Sequence, residues 1–159
     1  MNFETAHINS PIGTLELVAV SGKLIRLQFT DLPSEEIPTE GIFYEAAGQL
    51  QEYFAGKRQT FDFPFEPFGT PFEKKVWGEL LNIPFAETIT YTQLSVRIGN
   101  PLAVRAVGHS IGRNPLLIII PCHRVIGKGG QMVGFAGGIP RKKFLLDHER
   151  NILTPGLFA

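Results

Sequence analysis

Residues 90–114 read TYTQLSVRIGNPLAVRAVGHSIGRN. Thr90 can cap a short helix that stops at Gly99, and Pro101 can open a second one running to about Ile111. Two short helices joined by a turn are a helix-turn-helix candidate, a unit that serves plain packing as well as DNA binding. The surface of the second helix is unusual. Ala103, Ala106, Gly108, Ser110 and Gly112 carry little bulk, Val104, Val107 and Ile111 form the expected core side, and only Arg105 and His109 offer reach. Reading base edges in the major groove normally uses Arg, Asn or Gln fitted to the donors and acceptors of each base. A smooth helix with one long cation suits close backbone approach and shape-based binding instead.

Downstream, LLIIIPCHRVIG (116–127) reads as a buried strand at 116–120 that ends in a Pro-Cys-His turn. A glycine-rich loop, GKGGQMVGFAGG (127–138), follows, and a last helix is expected from Pro140 to about Asn151. Upstream, Thr70 with Glu73 forms a capping box, Pro71 suits the first helical position, and Phe72, Val76 and Leu80 share a face, with Pro84 as a stop. The first half looks different. TLELVAV (14–20) and KLIRLQF (23–29) flank a turn at SGK and predict a β-meander, followed by an acidic loop, DLPSEEIPTEG (31–41). A helix over 43–56 follows from the spacing of Phe43, Ala47, Leu50 and Phe54. FDFPFEPFGTP (61–71), with its four phenylalanines, reads as an extended, partly buried connector between two domains, residues 1–68 and 69–159.

The net charge of zero hides an asymmetry. Residues 1–68 hold four Lys and Arg against ten Asp and Glu, and residues 69–159 hold eleven against five, so the halves carry −6 and +6. A basic half suits a polyanionic partner, although a solvated basic face is the plain alternative. No apolar run approaches the roughly 20 residues of a membrane helix, and MNFETAHINSPIG lacks the regions of a signal peptide, so a cytoplasmic protein with no membrane association is expected. The four histidines show no ligand spacing and one cysteine can form neither an internal disulfide nor a thiolate cluster, so no metal site is expected.

That cysteine, Cys122, is either a small core hydrophobe or a nucleophile. An unperturbed thiol is mostly protonated at neutral pH, so a nucleophilic role needs a base. His123 is adjacent, but neighbours in an extended chain point to opposite faces, which leaves a bridging water as the relay. Either Glu149 or Asp147 could hold the imidazole.

IPCHRV (120–125), preceded by RAVGHSIGRNP (105–115) and followed by GFAGGIPRKKFLLDHE (134–149), resembles the methylated-DNA–protein-cysteine methyltransferases, the O6-alkylguanine-DNA alkyltransferases. The resemblance covers roughly residues 70–152. It implies an α+β protein, with a small ribonuclease-H-like sheet-and-helix domain ahead of a mostly helical domain that holds the helix-turn-helix. It implies DNA repair without a cofactor, by a monomer acting on double-stranded DNA that carries O6-alkylguanine, with O4-alkylthymine as a second candidate lesion. Cys122 is then the alkyl acceptor, His123 the water-mediated base, Glu149 its orienting carboxylate, Asn114 the brace of the turn, and Tyr91 a donor to the guanine. Arg105 is the finger that fills the gap left by the extruded nucleotide, and Tyr91, Ala106, Gly108 and Arg113 complete the DNA-binding set. Two positions depart from the family pattern: Phe135 stands where many relatives have a tyrosine and Ala136 where some have a serine. The cysteine-containing zinc site of some relatives cannot be built here.

Three rival readings differ in what they predict. A non-catalytic binding module of the alkyltransferase-like type lacks the acceptor cysteine, which Cys122 supplies here. A helix-turn-helix regulator prefers one DNA sequence, and a cysteine hydrolase turns over repeatedly.

Overall fold

Apolar residues alternate along Leu15, Leu17 and Ala19 and are buried one by one, which sets the central strand of a three-stranded antiparallel sheet. The strands are β1 (Phe3–Ile8), β2 (Thr14–Val20) and β3 (Lys23–Thr30), in the order β1-β2-β3, so the predicted meander forms. Ser21 and Gly22 both take positive φ, 50° and 76°, the primed turn whose twist matches the strands it joins. The register shifts between Val18 and Ala19, and Leu24 and Ile25 are both buried on β3, as expected where one extra residue bulges a strand.

Helix α1 spans Ile42–Phe54 and buries Phe43, Ala46, Leu50 and Tyr53. The predicted face is rotated, because Ala47 and Phe54 are only half-buried and Tyr53 carries the packing. The computed structural model describes residues 2–154, and the chain divides into two compact units, Met1–Phe68 and Gly69–Ala159. Most of the stretch expected as a connector, residues 61–68, belongs to the first unit. Leu24 bridges Phe65, with Leu24 N–H donating to Pro64 O at 3.1 Å and Glu66 N–H to Leu24 O at 2.9 Å, so this segment covers the outer edge of β3.

The second unit begins with α2 (Pro71–Leu80), whose capping box is complete: Glu73 N–H donates to Thr70 Oγ1 at 3.1 Å and Thr70 N–H to Glu73 Oε1 at 2.9 Å. A two-residue strand, β4 (Ile89–Thr90), leads into α3 (Tyr91–Arg97), capped the same way by Thr90 and Gln93. Gly99 takes φ 81°, and Ala103 N–H closes a turn onto Asn100 O at 3.0 Å. Helix α4 (Val104–Gly112) follows, so Pro101 lies in the turn rather than in the first helical position. Strand β5 (Val125–Ile126) pairs in parallel with β4, and α5 spans Ile139–Leu153. No helix among the described residues is long and apolar enough to cross a membrane.

Candidate active site

Residues 116–120 do not form the predicted strand. They are buried turns, closed by Ile120 N–H to Leu116 O at 2.9 Å and Ile119 N–H to Leu117 O at 2.8 Å. Asn114 explains why the run need not pair with a strand. Its Oδ1 accepts from Leu116 N–H at 3.0 Å and its Nδ2 donates to Ile120 O at 2.8 Å, so one buried amide closes both ends of the turn. Ile118, buried and β-branched, is held at φ 72°, a conformation costing on the order of 1–3 kcal/mol that the surrounding packing must offset.

The turn delivers the chain into one turn of 3₁₀ helix at Cys122–Arg124, not into an extended segment, so the alternation expected of Cys122 and His123 does not apply. Pairing of Val125 with Ile89 and Ile126 with Thr90 then brings the Cys-His turn beside the start of α3, where Tyr91 begins.

His123 is fully buried, and its Nε2 lies 2.7 Å from Glu149 Oε2. The same carboxylate accepts from Arg124 Nε at 2.8 Å, Arg124 Nη2 at 3.0 Å and Ala86 N–H at 3.0 Å, while Arg124 Nη1 donates to Ile83 O at 2.8 Å. Burial works against a charged Glu149, but His123 and Arg124 overcome it and hold the carboxyl well below the usual carboxylate range. Burial keeps His123 below its ordinary value despite that carboxylate. A neutral imidazole facing an ionised carboxylate through Nε2 must carry its proton there. Nδ1 is then a bare acceptor, and it is buried with no hydrogen-bond partner among the described residues. Asp147, the other carboxylate considered, binds Lys143 at 2.6 Å.

Cys122 is 1 % exposed. Burial pushes its thiol up to about 11, although the Asn114 amide and the Lys142 ammonium favour the thiolate. Lys142 is itself fully buried and donates to Val125 O at 2.5 Å and Val133 O at 2.8 Å; burial pulls it down to about 8. Tyr91 shares an acceptor with it, since its hydroxyl donates to Val133 O at 3.0 Å. Burial, and then the field of Cys122, raise the Tyr91 phenol. His123, Arg124 and Glu149 thus form one cluster of short contacts, Asn114 braces the turn before Cys122 and acts on its sulfur, and Tyr91 and Lys142 are close enough to feel the sulfur's charge.

The other expected residues lie on or near α4. Arg105 and Ala106 are exposed while Val107, Ser110 and Ile111 are buried, so Ser110 belongs to the core side and Trp77 Nε1 donates to its carbonyl at 2.8 Å. Gly108 is half-buried, with the Tyr91 ring 3.9 Å from where a Cβ would stand. Arg113 is exposed but engaged, its Nε donating to Glu73 Oε2 at 2.7 Å. Phe135 is half-buried and Ala136 exposed.

Residues 5–67 match the family model of the 6-O-methylguanine DNA methyltransferase ribonuclease-like domain, and residues 71–151 match that of its DNA-binding domain. The chain belongs to the methylated-DNA–protein-cysteine methyltransferases. It is 51% identical over 160 residues to the constitutive methylated-DNA–protein-cysteine methyltransferase of Bacillus subtilis, covering 94% of this chain and 96% of the relative. It is 46% identical over 152 residues to the methylated-DNA–protein-cysteine methyltransferase of Methanosarcina barkeri, covering 92% and 96%. Among solved structures, the O6-methylguanine methyltransferase of Mycobacterium tuberculosis superposes with a TM-score of 0.87 at 39% identity over 98% of both chains. A second structure from that organism, in complex with DNA, matches at TM-score 0.84 and 42% identity over 94% and 93%.

A methyltransferase that names a protein cysteine as its acceptor has one choice here, because the chain holds a single cysteine. Two members of the cluster drew no role from the sequence, Arg124 and Lys142. The second left a readable signal: 142, 145, 146 and 149 form one helical stripe, and its two middle positions are leucines. A lysine and a glutamate at the ends of a core stripe mark charges that need partners inside the fold.

Proposed function

We propose that this methyltransferase takes the alkyl group of O6-alkylguanine in duplex DNA onto Cys122, once per molecule. The observation that carries the reading is the bare, buried Nδ1 of His123, the residue that follows the chain's single cysteine, braced through Nε2 by Glu149. A water between Nδ1 and Sγ would pass the thiol proton to the imidazole, and Glu149, itself positioned by Arg124, would stabilise the resulting imidazolium. The sulfur then attacks the alkyl carbon: the S–C bond forms, the C–O6 bond breaks, and guanine leaves as an anion that takes up the relayed proton. This displacement is redox-neutral and consumes only the thiol. Its thioether product is a poor leaving group, so the sulfur is not regenerated.

A base in the stack cannot reach a thiol 1 % exposed, so the nucleotide is extruded at a cost of a few kcal/mol. Arg105 fills the gap, with Ala106 and Gly108 allowing close approach of α4 to the minor groove and Arg113 at the helix end meeting the backbone. Tyr91 moves its hydroxyl from Val133 O to the guanine, and with Phe135 and Ala136 offering no hydroxyl it becomes the principal side-chain donor. Residues 69–159 carry this chemistry, on a monomer working inside the cell. The Mycobacterium tuberculosis relative solved in complex with DNA supports DNA as partner.

The test is intact-protein mass after incubation with a duplex carrying O6-methylguanine. One methyl should appear, on the peptide containing Cys122, and activity should then be spent. Sustained turnover, or lesion removal with Cys122 unmodified, overturns the proposal.

A further inference from the structure

The turn between α3 and α4 presents Leu102 to solvent at 96 % exposure. The other exposed large apolar side chains among the described residues lie between 37 % and 58 %. Single apolar side chains on a surface are ordinary, but two further observations set this one apart. Its backbone is held: Pro101 precedes it, and the Ala103 N–H to Asn100 O bond of 3.0 Å closes the turn around it. Its place in the chain also matters. Leu102 lies two residues before α4 begins at Val104, and Arg105, Ala106 and His109 are exposed on that helix. The turn therefore leads into α4 with an apolar tip.

Three residues of chain span at most about 10 Å, and successive bases on a strand are about 3.4 Å apart. A leucine there reaches the groove within about three base steps of the place Arg105 enters. Apolar side chains that enter minor grooves pack on the sugar walls and wedge between base pairs, partly unstacking them. From exposure, turn geometry and nearness to Arg105 in the chain, and resting on the DNA-repair reading above, we infer that Leu102 is a second, uncharged wedge, packed into the minor groove beside the extruded nucleotide. It positions the duplex and takes no part in the chemistry. Arg105 contributes a cation whose effect weakens with salt; Leu102 contributes burial that does not.

The experiment measures duplex affinity against salt for the parent, Leu102→Ala and Leu102→Lys, with 2-aminopurine placed one or two steps from O6-methylguanine to report unstacking. Because the side chain touches solvent rather than core, both variants should fold like the parent. Leu102→Ala should weaken duplex affinity about tenfold with the salt slope unchanged, and should lose the 2-aminopurine signal. Leu102→Lys should steepen the slope by about one and bind no tighter than the parent at physiological salt. The inference is overturned if Leu102→Ala binds within twofold of the parent, if its loss follows the salt slope, or if Leu102→Lys binds tighter. Reaction with O6-benzylguanine as a free base separates the two levels. A parent that leaves Cys122 unalkylated by duplex and free base alike sinks the repair reading itself. A parent that alkylates Cys122 while the Leu102 variants bind duplex unchanged sinks only the wedge.

Discussion

His123 and Glu149 meet at 2.7 Å, ring Nε2 to carboxylate Oε2, with neither side chain reaching solvent. Arg124 completes the group, so the carboxylate answers two side chains at once, besides the Ala86 N–H. Glu149→Gln keeps the shape and removes the charge, leaving the guanidinium buried without its counterion. Such a loss costs about 3–5 kcal/mol, and denaturant unfolding should show a drop of that size along with slower transfer. Because the carboxyl is held below its ordinary 4.5, its contribution is complete above that value and fades as pH falls through the folded one. A variant that unfolds within about 0.5 kcal/mol of the parent would show that the group carries no such weight.

The thiol gives a pH prediction of opposite sign. Cys122 moves from its ordinary 9.0 up to about 11. The free protein at neutral pH therefore holds a neutral thiol, and iodoacetamide should alkylate it slowly until strongly alkaline pH. Between about 9 and 11 the unfolded chain has lost this proton and the folded one has kept it, so this group's contribution to stability falls across that window. Thiolate absorbance followed against pH is the direct readout. A midpoint at or below 9.0 would mean that burial does not govern this sulfur.

Lys142 places a positive charge in the core near that sulfur while pinning Val125 and Val133 through their carbonyls. Lys142→Met keeps the length of the side chain and removes both the charge and the donors. The Cys122 midpoint should rise further, transfer should slow, and amide exchange across 127–138 should quicken, since Tyr91 alone would then hold Val133 O. The variant should not be severely destabilised, because a desolvated ammonium leaves the interior. An unchanged thiol midpoint would separate the lysine from the chemistry.

Features set by near neighbours in the chain were readable from it. The capping box of Thr70 and Glu73, the turn at Ser21 and Gly22, and both helices of the helix-turn-helix depend on residues within a few positions of one another. The five-residue apolar run at 116–120 was not, because burial alone does not distinguish a strand from a turn. Asn114 decides it through bonds to Leu116 and Ile120, and no propensity scale places isoleucine 118 at positive φ. The choice between Glu149 and Asp147 likewise depended on packing between α5 and the Cys122–Arg124 turn. At the level of residue types alone, Cys122 remained either a core thiol or a nucleophile; membership of a family named for its acceptor cysteine is what separates the two.

In the first unit, His7 holds two carboxylates at once, Glu16 Oε2 at 3.0 Å through Nε2 and Glu35 Oε1 at 3.2 Å through Nδ1. Both ring nitrogens can donate only when the imidazole is charged. The bond to Glu16 raises its pKa, burial opposes, and Glu35 adds to the rise; Glu16, which also accepts from Gln28 and lies near Arg26, is lowered mainly by His7. The signs then set a window. The histidine's contribution is complete below its ordinary 6.5 and disappears as pH climbs through the raised value, while that of Glu16 is complete above 4.5 and disappears as pH falls through the lowered one. His7→Gln should therefore differ most from the parent in thermal stability between those two values, and the difference should shrink on either side. Amide exchange in the 31–41 loop, tied to β1 by Glu35 N–H to His7 O at 3.0 Å, should quicken on the alkaline side. An NMR titration that puts His7 at or below 6.5 would leave the second carboxylate without a donor and defeat the prediction.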